Sequence, residues 1–143
     1  MKNKALKITF LLIACIFILL FASLKWSFWE PGNVKHDSLT YKLKTNEEIK
    51  NFPIFDATNS PLYDYRIADG VKPSIVVQKY ESSLNLLEVQ DKLTSLGFSC
   101  EYYKSEKFVT CDRLDNKKRE KSLVANHLNK GTRTRVEMAF IGY

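Results

Sequence analysis

Residues 98–113 constrain the fold most, because they place two cysteines on opposite arms of a hairpin pattern. Two β-prone runs, 98–104 and 107–113, flank a turn at Ser105 and Glu106. Cys100 and Cys111 lie equally far from that turn, and directly opposed residues of antiparallel strands have Cα atoms about 4.5 to 5.5 Å apart. This separation suits a disulfide bond. The pattern therefore predicts a hairpin whose strands are joined by Cys100 and Cys111 in an oxidising compartment.

An apolar run from Ile8 to Leu24 indicates where the rest of the chain lies. It carries no charge and is at the short end of what a helix needs to cross a bilayer. Basic residues are concentrated before it, so the positive-inside rule places the N-terminus in the cytoplasm and the remainder outside. The lysines that precede the run are Lys2, Lys4 and Lys7, and the first that follows it is Lys25.

We therefore expect a single-pass protein of the bacterial inner membrane, with its C-terminal domain in the periplasm. The expected parts are a cytoplasmic N-terminus at 1–7, a transmembrane anchor at 8–25 that contacts the lipid bilayer, a linker at 26–44 and an extracytoplasmic domain at 45–143. Two other interpretations of the apolar run stay open. A cleaved signal peptide would need small residues where Leu20 and Phe21 stand. A lipoprotein signal would lipidate Cys15, although the apolar residues continue beyond that cysteine.

Signals on the N-terminal side of the hairpin predict a strand and a helix. The run from Ser74 to Tyr80 is rich in β-branched residues and predicts a strand. Asn85 and Glu88 form a capping-box pattern that begins a helix, and Gly97 ends that helix. The apolar face of the helix consists of Leu86, Val89, Leu93 and Leu96.

On the C-terminal side, a second helix is expected from Asp115 to about Gly131, followed by a strand at 132–140. The residues that this helix would bury are Leu123, Val124 and either His127 or Leu128. The resulting order, β-α-β-β-α-β, predicts an α+β fold of the ferredoxin-like type with a four-stranded antiparallel sheet. This core would occupy residues 73–143.

The segment before this core carries weaker signals. Residues 39–43 alternate apolar and polar side chains, so they favour a short strand. Thr45 followed by Glu48 predicts a helix start with Thr45 as the N-cap. Residues 54–72 show no sustained period, and we expect them to form an irregular segment packed on the domain.

Residue types that serve catalysis or metal binding are sparse. Two histidines occur, His36 in the expected linker and His127 on the expected second helix. No CxxC or HxxxH spacing suggests a metal site, and the five glycines form no phosphate-binding loop. Helix capping and a strand end explain the carboxylate pairs, which are Glu47 with Glu48 and Asp112 with Asp115. We therefore expect a non-catalytic protein without a cofactor, a metal or a small-molecule substrate.

Basic residues crowd the start of the expected second helix, where the helix dipole disfavours positive charge. They are Lys117, Lys118, Arg119 and Lys121. They form either a solvated helix face or a docking patch for an acidic partner or anionic head groups. Much of the formal net charge of +6 lies in the lysines around the apolar run, so the outer domain is only mildly basic. Because nucleic-acid binding usually needs a stronger basic stripe, we expect no nucleic-acid partner.

These observations favour a membrane-anchored, disulfide-linked domain that binds a protein partner, as a component of an envelope assembly. An immunity or inhibitor protein that neutralises a periplasm-acting toxin would have the same features. An enzyme of unknown type is the third alternative. The sequence does not identify the partner.

Overall fold

A computed structural model describes residues 2–115, 118–126 and 133–142. Four helices and seven strands occur in this part of the chain. In chain order they are α1 Lys2–Ser27, β1 Val34–Lys35, α2 Leu39–Lys44, α3 Glu47–Lys50, β2 Leu62–Arg66, β3 Ile75–Ser82, α4 Leu86–Ser95, β4 Ser99–Tyr103, β5 Phe108–Asp115, β6 Lys118–Asn126 and β7 Thr134–Ile141.

The strands form one seven-stranded sheet in the order β1-β2-β3-β7-β6-β5-β4. Every neighbouring pair is antiparallel. The prediction of a four-stranded ferredoxin-like sheet is therefore wrong, although the fold remains mixed α+β with one apolar helix at the N-terminus. Strand β6 stands where the second helix of that fold was expected, and strands β1 and β2 lengthen the sheet beyond β3.

Most of the difference between the predicted and the observed fold lies in strand β6. It pairs with β5 from Asp115 to Phe108 on one side and with β7 on the other. Two of its inward-facing positions are the polar residues Glu120 and Ser122, so the strand lacks the apolar alternation that predicts β structure. Its buried carboxylate is satisfied by a residue on the neighbouring strand, because Arg113 Nη2 lies 2.5 Å from Glu120 Oε2. The expected helical residues His127, Leu128 and Gly131 lie outside the described residues.

Two further expectations before β3 are also wrong. Residues 62–66 of the expected irregular segment form β2, whose Tyr63 and Tyr65 point into the core. Residues 39–43 belong to helix α2 and not to a strand, because the Ser38 hydroxyl accepts the Tyr41 N–H at 3.2 Å and caps the helix.

The cap of helix α3 also differs from the prediction. Asn46 and not Thr45 is the N-cap, since the Asn46 side chain accepts the Ile49 N–H at 2.9 Å. Thr45 is buried instead, and its hydroxyl forms a hydrogen bond with the hydroxyl of Tyr65. Thr45 therefore makes a long-range contact between the α2–α3 junction and β2, and it does not cap helix α3.

The remaining predicted elements are confirmed. Strand β3, the hairpin of β4 and β5, and strand β7 lie where the sequence patterns place them. Helix α4 begins with the full Asn85 and Glu88 capping box, in which each side chain accepts the other residue's N–H. Gly97 follows the C-cap residue Leu96 at φ +86°, a conformation that favours glycine just after a helix C-terminus.

The hydrophobic core lies on one face of the sheet, which we call the covered face. Helix α4 packs on β4, β5 and β6, and α2 packs beside β1. Phe52 after helix α3 contacts Phe140 edge-on with ring centroids 5.2 Å apart. Residues that alternate along the strands supply the inward side chains, which include Tyr63, Val76, Tyr80, Val109, Val124, Val136, Met138 and Phe140.

Helix α1 is long and apolar enough to span a membrane over Lys7–Ser27, with a mean hydropathy of 2.6. Immediately after it, the chain contacts the sheet. Tyr65 N–H donates to the Pro31 carbonyl at 3.0 Å, and Ile67 N–H donates to Glu30 Oε1 at 2.8 Å. The division of the chain into N-terminus, anchor, linker and outer domain stays a prediction.

Candidate interaction site

The face of the sheet opposite the covered face carries a groove of about 890 Å³, which we call the open-face groove. One row of directly paired residues crosses it from β3 to β4. The row is Val77, Ala139, Lys121, Asp112 and Ser99. These residues are far apart in sequence, and only the pairing of five antiparallel strands brings them together.

Two charged side chains of the groove, Arg119 and Asp112, form an ion pair. Arg119 Nε lies 3.0 Å from Asp112 Oδ1, and Arg119 Nη2 lies 2.5 Å from Asp112 Oδ2, so the guanidinium binds both carboxylate oxygens. This contact lowers the pKa of the Asp112 carboxyl and raises the pKa of Arg119. Asp112 is therefore an ionised, oriented carboxylate at neutral pH, a state suited to recognition and not to proton donation.

The rest of the groove mixes apolar and charged surface. Leu114 exposes 73% of its surface beside the apolar side chains of the central row. Glu137 lies 2.7 Å from Arg135, and Glu101 accepts the Tyr103 hydroxyl at 2.8 Å. Lys121 lines the groove as a further cation. A surface of this composition complements an amphipathic segment that carries both apolar and charged groups.

The predicted docking patch is divided by the alternation of strand β6. Arg119 and Lys121 point into the open-face groove, whereas Lys118 points the other way and lies 2.7 Å from Glu48. Successive side chains of a strand leave opposite faces of the sheet, so residues 118 and 119 cannot share one patch. Lys117 lies outside the described residues. Whether these residues bind a partner stays a prediction.

The predicted cysteine pair is confirmed. Cys100 of β4 is paired directly with Cys111 of β5, and their sulfur atoms are 2.08 Å apart. Cys111 is buried, and the Thr94 hydroxyl of helix α4 lies 3.7 Å from the Cys100 sulfur, so the disulfide lies on the covered face. The two strands that it joins line the open-face groove on the other side. The disulfide therefore ties the outermost strand of the sheet to its neighbour beside the candidate site.

Strand β4 ends the sheet, and within the described ranges no strand pairs with its outer edge. Tyr102 and Tyr103 are exposed on it, and the Tyr103 ring stacks on Phe108 with centroids 4.6 Å apart. Ser99 and Glu101 of this strand also line the open-face groove. The free edge and the groove are therefore continuous.

A second polar cluster, which the sequence interpretation missed, lies on the covered face. His36 Nδ1 is 3.0 Å from the Tyr63 hydroxyl, to which Gln78 Nε2 donates at 2.9 Å. Burial raises the pKa values of Tyr63 and the adjacent Tyr41, so both phenols are neutral at physiological pH. The alternation of Tyr63 and Tyr65 was the one available signal. This cluster fastens the segment after α1 to the sheet and does not open into the groove.

Comparison of the chain with protein-family models, with curated proteins and with solved structures finds no significant match. Among the described residues, no group of three histidine, cysteine, aspartate or glutamate side chains is placed to hold a metal ion. The fold and the site together define a mixed α+β domain behind an apolar N-terminal helix. Its features are compatible with a membrane-anchored domain.

Proposed function

We propose that the chain is a single-pass membrane protein whose extracytoplasmic, disulfide-linked domain binds a protein partner without catalysis. In a bacterium the anchor would lie in the inner membrane and the domain in the periplasm. The apolar helix over Lys7–Ser27 and the Cys100 to Cys111 pair support this address, because disulfides persist in oxidising compartments. The distribution of lysines around the apolar run supports the orientation.

The observation that carries the binding function is the continuity of the open-face groove with the free edge of β4. An extended peptide that pairs with this edge would continue the sheet, and its main chain would supply general affinity. Its alternate side chains would then lie over the groove, where Ser99 and Glu101 form the near wall. A partner segment that presents an apolar and an acidic side chain on one face would meet Leu114 and Lys121.

The chemistry of the groove favours binding over catalysis. Asp112 is held ionised by Arg119 and is a poor general acid. None of the described residues lining the groove is a histidine, so Ser99 and Thr110 have no imidazole base beside them there. His36 contacts Tyr63 on the covered face, away from the groove.

Site-specific photo-crosslinking in the native host tests this function. A benzoylphenylalanine at Leu114, in the groove, should give one discrete adduct. The same probe at Leu87 on helix α4, which is also exposed at 57%, should not give that adduct. Reversal of the groove charge by Lys121→Glu should remove the adduct, whereas the matched Lys92→Glu on helix α4 should retain it. Equal adducts at the two probe positions, or none at Leu114, would contradict the proposal.

A further inference from the structure

Helix α2 presents two leucines to solvent on one side while its opposite side packs on the sheet. Leu39 and Leu43 are 69% and 63% exposed, and their spacing of one helical turn places them next to each other. Tyr41 between them is only 4% exposed and contacts the Tyr63 ring at a centroid distance of 4.6 Å. The leucine pair is therefore a fixed apolar ridge on a helix that its other side holds in place.

The end of this helix is attached to the end of the apolar helix α1. Lys44 Nζ donates to the carbonyl oxygens of Trp26 at 3.1 Å and Trp29 at 2.6 Å. The same ammonium lies 5.5 Å and 5.6 Å from the centroids of the two indole rings. Tryptophans at the end of a spanning helix sit at the level of the lipid head groups. Leu43, the neighbour of Lys44, is therefore held close to that level.

We infer that α2 lies in the lipid interface, with Leu39 and Leu43 inserted among the acyl chains and Lys42 at the head groups. The inference rests on the membrane anchor of the proposed function. A lipid surface fits better than a protein here because Lys44 holds the end of α2 against the end of the apolar helix α1, where Phe28 is also 74% exposed. Interfacial helices bind in this orientation, with an apolar side in the bilayer and basic residues beside it.

A helix of only six residues would bind lipid weakly by itself. The anchor changes this, because a tethered segment samples the bilayer at a high effective concentration. The contact gives the domain a second point of attachment. With two points of attachment, the domain has a defined orientation on the membrane, and so does the open-face groove.

Fluorescence quenching in phosphatidylcholine vesicles tests the inference on the full chain. In a Cys15→Ser background, an NBD label on Leu39→Cys or Leu43→Cys is compared with the label on Leu87→Cys, an exposed position of α4. Brominated lipids should quench the labels at 39 and 43 roughly twofold more strongly than the label at 87, with blue-shifted emission. The only tryptophans, Trp26 and Trp29, report the anchor in the same samples.

The possible results separate the two proposals. Quenched tryptophans with all three labels equally unquenched would overturn the interfacial contact of α2 and leave the anchor intact. A blue shift at 39 and 43 without quenching would show that protein covers the ridge, which also overturns the lipid contact. Unquenched tryptophans would overturn the anchor and the inference together.

Discussion

Removal of the Cys100 to Cys111 disulfide should lower the free energy of unfolding by about 2.8 kcal/mol. The bridge joins residues separated by 11 positions, and closing a loop of that length removes conformational entropy from the unfolded chain, which raises its free energy by this amount. The loss is a large share of the 5 to 15 kcal/mol that is usual for a domain. This loss of stability would affect the edge of the sheet most, because β5 is the one strand that pairs with β4 among the described residues.

Urea unfolding of the full chain in detergent micelles, followed by circular dichroism, measures this loss. With a urea dependence of about 1 to 3 kcal/mol per molar, the midpoint should fall by about 1 to 3 M on reduction or in the Cys100→Ala, Cys111→Ala variant. The Cys15→Ser variant is the control, because Cys15 is the free cysteine of the described chain and its midpoint should not change. An unchanged midpoint after complete reduction would refute the reasoning.

Three other predictions concern buried or paired ionisable groups. Burial raises the pKa of Tyr80 to about 12, so the stability that Tyr80 contributes should be full below pH 10 and fall by about 1.4 kcal/mol per pH unit from pH 10 to 12. Because other buried tyrosines also contribute to the alkaline loss of stability, Tyr80→Phe should make that loss shallower by this amount, and an unaltered slope would contradict the burial effect. Glu120→Ala should cost about 1 to 3 kcal/mol by thermal or urea unfolding, because it removes the buried carboxylate that pairs with Arg113, while the hydrogen bond from Arg113 to the Leu96 carbonyl remains. A cost near zero would show that the pair is dispensable. Burial alone would raise the pKa of Asp64, but hydrogen bonds from Lys79 and from the Asn33 N–H outweigh it and lower that pKa. Stability from Asp64 should therefore be present above about pH 4 and lost as the pH falls further, and acid titration of Asp64→Asn should show a shallower loss than the parent chain.

Local signals in the sequence were sufficient for some elements of the fold. Helix α4 carries its own capping box and its own terminal glycine, and the β4–β5 hairpin carries its own turn and its cysteine pair. Each of these patterns lies within a few residues, so the local sequence determines it.

Strand β6 and the order of the sheet depend on contacts that are distant in sequence. Glu120 is tolerated on the covered face because Arg113 of the adjacent strand binds its carboxylate. Strand β7 lies between β3 and β6, an arrangement that no local pattern specifies. The α+β class was therefore predictable, but the sheet topology was not.

The candidate site shows the same division. Arg119 and Lys121 were recognised as unusual basic residues, and the sequence pattern placed them on a helix beside Lys118. Because β6 is a strand, the side chains of Arg119 and Lys121 leave the sheet on the face opposite to Lys118. The open-face groove forms where Asp112 and Ser99 of the neighbouring strands lie beside them. The groove is a property of strand register, which the sequence pattern did not reveal.

The membrane topology of the chain is the most direct test of the central claim that the binding domain lies outside the cytoplasm. Alkaline phosphatase is active only after export, so its fusion after residue 143 in a bacterial host reports the location of the domain. A fusion after Lys7, before the apolar run, is the matched control and should be inactive. The account predicts high activity at 143. An inactive but stably expressed fusion at that position would contradict it.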